Sequence, residues 1–218
     1  MSATSRSALR KAVGESSLTA HQDILQGLAG APLQTTWELP LFAGRLGEIC
    51  GGRSSAALTL AFRLVLDAQR REEPVAWVTH PDRAFYPPDV ANASVDVEAL
   101  VVVWAAHALE SSRAADQLLR SGGFGLVVLD LGAAPRLSLA VLGRLAGLAR
   151  KHQAAVLCLT ESDREDSSLG SLVSLRARAL RTHERDNHYR CQARILKDKR
   201  QGLNWKHTEI GRGPDGLH

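Results

Sequence analysis

Leu46-Gly47-Glu48-Ile49-Cys50-Gly51-Gly52-Arg53-Ser54-Ser55-Ala56-Ala57-Leu58-Thr59-Leu60 is the stretch that decides how this chain folds. An apolar run with strand character passes through a small-residue turn into a segment whose apolar residues recur at helical spacing. Strand, glycine turn and helix start are the outline of a phosphate-binding loop. In the working pattern, G-x-x-x-x-G-K-[ST], backbone N–H groups cradle phosphates, a Lys reaches them and a hydroxyl holds Mg²⁺. Laid on Gly51, that pattern puts Ala56 at the second Gly, Ala57 at the Lys and Leu58 at the hydroxyl. The outline survives without the chemistry, so the sequence predicts no catalytic residue, no bound cofactor and no metal.

The alternation continues on both sides of this stretch. Trp37, Leu39, Leu41 and Phe42 lead into the Gly44-Arg45 turn. After the loop a helix is expected to about Arg71, followed by apolar strands at Val75–Val78, Leu100–Trp104, Leu126–Leu131 and Ala154–Leu159. Helices from about Ala108 to Arg120 and from about Leu137 to Lys151 separate the last three. Such a repeat argues for a parallel sheet covered by helices on both sides. The unbroken run at Leu100–Trp104 is the kind found where both sheet faces are buried. Trp37, Trp77, Trp104, Leu109, Leu118 and Leu119 are expected in the core. After residue 175 the pattern shifts to shorter, more polar strands at Leu175–Thr182, Tyr189–Lys197 and Leu203–Ile210, an antiparallel meander at one edge. The expected organisation is an N-terminal helical or irregular extension over 1–43, a core over 44–175, basic strands of the same domain over 176–210, and a tail over 211–218.

Charge is unevenly placed. The chain carries +4 overall, yet residues 176–218 hold eleven Lys/Arg against five Asp/Glu, leaving the remainder slightly acidic. A basic segment on a near-neutral body suggests an acidic partner, nucleic acid or protein. Cys50, Cys158 and Cys191 show no C-x-x-C spacing and read as reduced, buried thiols. The N-terminus lacks the apolar core of a secretory signal, and no apolar run is long enough to span a bilayer, so a cytoplasmic location without membrane contact is expected. His183, His188 and His207 match no metal-ligand spacing and read as surface histidines.

Gly44 to Gly51, the Ser54-Ser55 pair, the strand Leu126–Asp130 and the basic run Ile195-Leu196-Lys197-Asp198-Lys199 together resemble the RecA-type recombinase core, over about residues 44 to 210. The resemblance implies a RecA-like, mainly parallel α/β sheet sandwiched by helices, with Asp130 as the relic of the Walker B acid. Pro81–Pro88 after the second strand and Val95-Asp96-Val97-Glu98 before the third are similar to ImuA-like proteins, RecA-related accessory factors of damage-inducible mutagenesis. That likeness implies a non-catalytic role in translesion synthesis beside an inactive Y-family polymerase-like protein, with a RecA recombinase and an error-prone C-family polymerase as further partners, and nucleoid association during the damage response. The chain departs from the recombinase pattern where Thr79-His80-Pro81 replaces the water-activating acid, Asp82 being a poor substitute. It departs again where Thr160-Glu161 stands for the γ-phosphate-sensing pair.

Arg176, Arg178, Arg181, Arg190, Arg194, Lys197, Lys199, Arg200, Trp205 and Lys206 are the candidates for partner or DNA contact. Arg176 and Arg178 share strand parity, as do Arg190 and Arg194. Partner docking, a solvated edge and DNA binding all remain open for this stripe, as do anchoring and packing for Trp205. Two alternatives to the adaptor stand: a SulA-like division inhibitor that binds a tubulin-like protein, and a recombinase-like ATPase or DNA-binding protein.

Overall fold

The structure, a computed structural model, describes residues 36–52, 54–83, 94–133, 135–162, 169–185, 188–203 and 205–212. They belong to the compact unit Thr35–His218. Expectations for residues 1–35, the proline-rich stretch 84–88 and the tail from 213 lie outside the described residues.

An eight-stranded sheet carries four described helices. In chain order the elements are α1 (Leu39–Phe42), β1 (Arg45–Gly51), α2 (Ala57–Arg70), β2 (Val75–Thr79), β3 (Leu100–Trp104), α3 (Ala108–Ser121), β4 (Leu126–Ala133), α4 (Leu139–His152), β5 (Ala155–Glu161), β6 (Leu175–His183), β7 (His188–Asp198) and β8 (Lys206–Arg212). The strand order is β3-β2-β4-β5-β1-β6-β7-β8. Strands β3 to β6 run parallel, and β7 and β8 add antiparallel. The mainly parallel α/β sheet with antiparallel edge strands is therefore as the sequence predicts.

Two apolar layers flank the sheet. On one side α1 and α2 bury Trp37, Phe42, Leu60, Leu64 and Val65 against Ile49, Trp77, Val128 and Leu157, and the layer runs on to Ala177, Ala193 and Ile195. On the other side α3 and α4 bury Ala115, Leu119, Leu142 and Leu145 against Leu46, Val127, Leu129 and Val156. Helix α3 starts on His107, whose Nδ1 accepts the Glu110 N–H at 3.2 Å, and ends on Gly122 at φ 69°. Ser138 caps α4 in the usual way, its Oγ accepting the Val141 N–H. Arg150, Lys151 and His152 close the C-terminus of α4, where the helix dipole favours positive charge.

Two expectations need correction. The strand at Leu100–Trp104 is not covered on both faces: β3 is the outermost parallel strand, and Trp104 is 53% exposed. Leu109 likewise lies on the solvent side of α3 at 46% exposure, because only one stripe of that helix meets the sheet. Trp37, Leu39 and Phe42, within the stretch grouped by sequence with the N-terminal extension, are buried in the core, as expected for Trp37. There the Trp37 indole N–H donates to the Leu60 carbonyl at 3.0 Å, and the Leu39 amide donates to Asp67 at 2.8 Å. Among the described residues no helix is long and apolar enough to cross a membrane.

Candidate functional site

The ends of β1, β4 and β5, the turn after β2 and the start of α2 enclose a cleft of about 390 Å³. This is where a parallel α/β sheet places its ligands, at the carboxyl ends of its strands. Its floor is the stretch that opened the sequence reading. Gly51 ends β1, the Ser55 amide donates to the Gly52 carbonyl at 3.0 Å, and α2 begins at Ala57. The Ser55 side chain folds down over Gly51 so closely that a Cβ there would overlap it. At the helix start Ala56 is buried and makes no side-chain cap, Ala57 is half-buried and Leu58 is exposed. Nothing at these positions can reach a phosphate with a charge or hold a metal with a hydroxyl.

The polar wall of the cleft is closed on itself. Asp130, near the end of β4 and almost fully buried, accepts from the Thr79 hydroxyl at 3.3 Å. Its other oxygen accepts from Nε and Nη2 of Arg83 at 3.2 and 3.1 Å. The third guanidinium nitrogen, Nη1, donates to Glu161 at 3.1 Å. One cation thus spans the two carboxylates. Burial opposes its charge, but Asp130 and Glu161 outweigh that and push the Arg83 pKa above its ordinary value.

The backbone makes room for this cation. The β4–β5 register shifts between Asp130 and Gly132, a bulge that re-aims the strand end. Gly132 sits at φ +68°, and a Cβ there would come within 2.9 Å of the Arg83 guanidinium. Sequence reasoning missed Arg83, which lies in a proline-flanked irregular stretch with no periodicity. Asp82, considered there as a substitute acid, stands on the cleft rim with its amide donating to His80 Nδ1 at 3.0 Å. Glu161 does face the cleft, as a like charge would that repels a triphosphate, but Arg83 already holds it.

The nucleotide and Mg²⁺ that this loop outline implies do not fit the residues present. The Lys and hydroxyl positions are Ala57 and Leu58, and the acid that would face the metal is engaged by Arg83.

The basic candidates divide by environment. Arg176 is buried, with Nε 3.3 Å from Glu48, which also accepts from the Thr160 hydroxyl at 2.9 Å. It is a structural ion and not an exposed docking group. Trp205 is half-buried, packs 6.4 Å from Trp37 and donates to Asp198 at 3.2 Å. Lys197 and Lys199 both reach the Ser171 carbonyl, Arg200 the Ala43 carbonyl, and Arg181 lies 3.9 Å over the Tyr189 ring. Arg190 pairs with Glu184 at 2.6 Å. Arg178, Arg194 and Lys206 share one face of the meander, where β6, β7 and β8 set them side by side. His207, expected at the surface, is instead stacked on Trp37 at 5.8 Å. Among the described residues no group of acids, histidines and cysteines could hold a metal. The three cysteines are buried and free.

A parallel sheet whose first strand, glycine turn and helix keep the phosphate-loop outline, with Asp130 at the expected strand end, defines an α/β protein of the RecA type. Comparison with known families agrees: the RecA N-terminal domain matches residues 34–160, more than half of the chain, and the chain belongs to that family. It is similar to Protein RecA of Nocardioides sp., 35% identical over 112 residues, covering 51% of this chain and 29% of the relative. Protein RecA of Fusobacterium nucleatum is 31% identical over 112 residues, covering 51% and 27%. Protein RecA of Thermotoga maritima is 27% identical over 154 residues, covering 62% and 40%. The chain therefore spans well under half the length of these relatives.

Proposed function

We propose that this chain is a non-catalytic RecA-like adaptor of DNA-damage-induced translesion synthesis, docking an inactive Y-family polymerase-like protein and, through it, an error-prone C-family polymerase. The observation that carries the non-catalytic part is Arg83. A guanidinium clamped between Asp130 and Glu161 supplies, from within the chain, the positive charge that a metal and a phosphate-loop Lys would otherwise bring. A site neutralised internally gains little from Mg²⁺ and a nucleotide, and the scaffold keeps one shape without them. The ImuA-like segments of the sequence support the choice of partner. A RecA recombinase is a further partner, because the body resembles one of its own subunits.

Two measurements test this reading. Calorimetry with a nonhydrolysable ATP analogue and Mg²⁺ is expected to give no binding heat; a micromolar signal abolished by Asp130→Asn would overturn the non-catalytic assignment. Affinity purification of the tagged full chain from DNA-damaged host cells is expected to recover the polymerase-like protein, identified by mass spectrometry. Recovery of a tubulin-like division protein in its place would replace the adaptor with a division inhibitor.

A further inference from the structure

Strand β7 departs from regular pairing at one place. Its register against β6 shifts between Arg176 and Ala177, so that Ala177 pairs with Ile195 and Arg176 with Lys197. Leu196 is the extra residue of a bulge, and a bulge re-aims the side chains beyond it. Without it Leu196 would stand across from Arg176; with it Lys197 does. A cation is thus set directly opposite a cation, an arrangement that costs stability. On the other side of Arg176, β1 places Glu48, whose carboxylate lies 3.3 Å from the guanidinium. The row therefore runs carboxylate, guanidinium, ammonium, with Glu48 and Arg176 buried and Lys197 half-buried. At its far end Lys197 donates to the Ser171 carbonyl at 3.1 Å, and Lys199 donates to the same carbonyl at 2.8 Å. One oxygen holds two ammonium groups, whose nitrogens stand no further apart than those two bonds laid end to end. Asp198, between the two lysines in sequence, is taken by Arg45 and Trp205. Burial, Lys199 and Arg176 together hold the Lys197 pKa below the ordinary lysine value, with Glu48 pulling the other way. A Lys placed beside other cations is activated as a nucleophile, because more of it is the neutral amine at a given pH.

The geometry points to Lys197 as a modification site, acylated by an acyl phosphate. The lone pair of the neutral Nζ attacks the acyl carbon and forms the new C–N bond. The bond from that carbon to the bridging oxygen breaks, phosphate leaves with the electron pair, and the amine proton passes to solvent. Lys199 draws the anionic donor in and faces the charge that grows on the departing phosphate. The product amide keeps one N–H that can donate to the Ser171 carbonyl, so the strand stays tied while the charge is lost. Acylation thereby removes one positive charge from the basic stretch 197–200, whose other cations are Lys199 and Arg200. This inference goes beyond the adaptor reading and holds or fails independently of it.

The test incubates the purified full chain with acetyl phosphate and follows acetylation of each lysine by peptide mass spectrometry. At about pH 8 Lys197 is expected to react at least about threefold faster than Lys151 or Lys206, and its rate to reach half of its plateau at a lower pH than theirs. In urea that preference is expected to vanish, since it is a property of the fold. With a neutral reagent, the acetyl ester of N-hydroxysuccinimide, the preference is expected to shrink, because the cations no longer draw the donor in. Lys199→Met is expected to slow acetylation of Lys197 at least about twofold while leaving Lys151 unchanged, because a like charge is removed from beside the amine. Equal rates at the three lysines, a preference that survives urea, one undiminished with the neutral reagent, or a Lys199→Met chain that reacts at Lys197 as fast as the parent would each overturn the inference. The first three of these outcomes are read on the parent chain, so they stand whether or not the variant folds.

Discussion

Two arginine–carboxylate centres lie at opposite ends of the same sheet and illustrate what burial does to an ion pair. At the amino end of β1, Arg45 donates to Asp198 at 2.6 Å with side chains 1% and 0% exposed, and its other donors reach Ser174 and the Leu41 carbonyl. At the carboxyl ends, Arg83 bridges Asp130 and Glu161 with about a third of its side chain in solvent. The first centre ties the last long strand to the first and has no room for anything else. The second lines a cleft, and its members could in principle exchange partners. A closed pair works as a staple, whereas an open one leaves its charges within reach of solvent.

The comparison breaks most sharply at the staple. Asp198→Ala leaves the Arg45 charge buried without its partner, and urea denaturation is expected to show a loss of roughly 3–5 kcal/mol. The same pair sets the acid limb of stability. Burial alone would raise the Asp198 pKa, but the Arg200 amide and the Arg45 guanidinium prevail and hold it below the usual carboxylate value. Its contribution is therefore complete above about pH 4 and drains away as pH falls through the lower folded value. Asp198→Asn should flatten that limb in a pH series of melts. At the cleft, Arg83→Ala should cost only about 1–2 kcal/mol, since solvent reaches the freed carboxylates. Mg²⁺ or Mn²⁺ should raise the melting temperature of Arg83→Ala but not of the parent; equal response of both would mean that Arg83 does not stand in for a cation. Smallest of all, Arg190→Ala breaks a surface pair and should stay within roughly 0.5 kcal/mol of the parent.

Much of this arrangement is legible in the sequence, and the exceptions share a cause. Strand and helix alternation, the antiparallel meander and Asp130 at the end of a strand follow from periodicity and turn residues, which are local. Arg83 becomes functional only where three strand ends converge, so no spacing announces it. Parity places Arg176 and Arg178 on one face, but burial of Arg176 depends on Glu48, distant in sequence. A signal did exist there: a lone Glu in the apolar strand Leu46–Cys50 needs a buried cation partner. The exposure of Trp104 escapes the sequence because an apolar run looks the same in a central strand and at an edge, and that of Leu109 because it lies off the one stripe of α3 that meets the sheet. The packing also shows why the meander is no detachable module, since Leu175, Ala177, Ala193 and Ile195 belong to the main core.

Gly132 ties the polar wall of the cleft to its backbone. Restoring Lys at 57 and Thr at 58 would return the two missing groups to the loop, yet Arg83 would still occupy the acid that a metal needs, in a pocket shaped for it by a residue without a side chain. A nucleotide site here would therefore require several coordinated changes, each of little use before the others. On the proposed adaptor reading, that interdependence works as a ratchet.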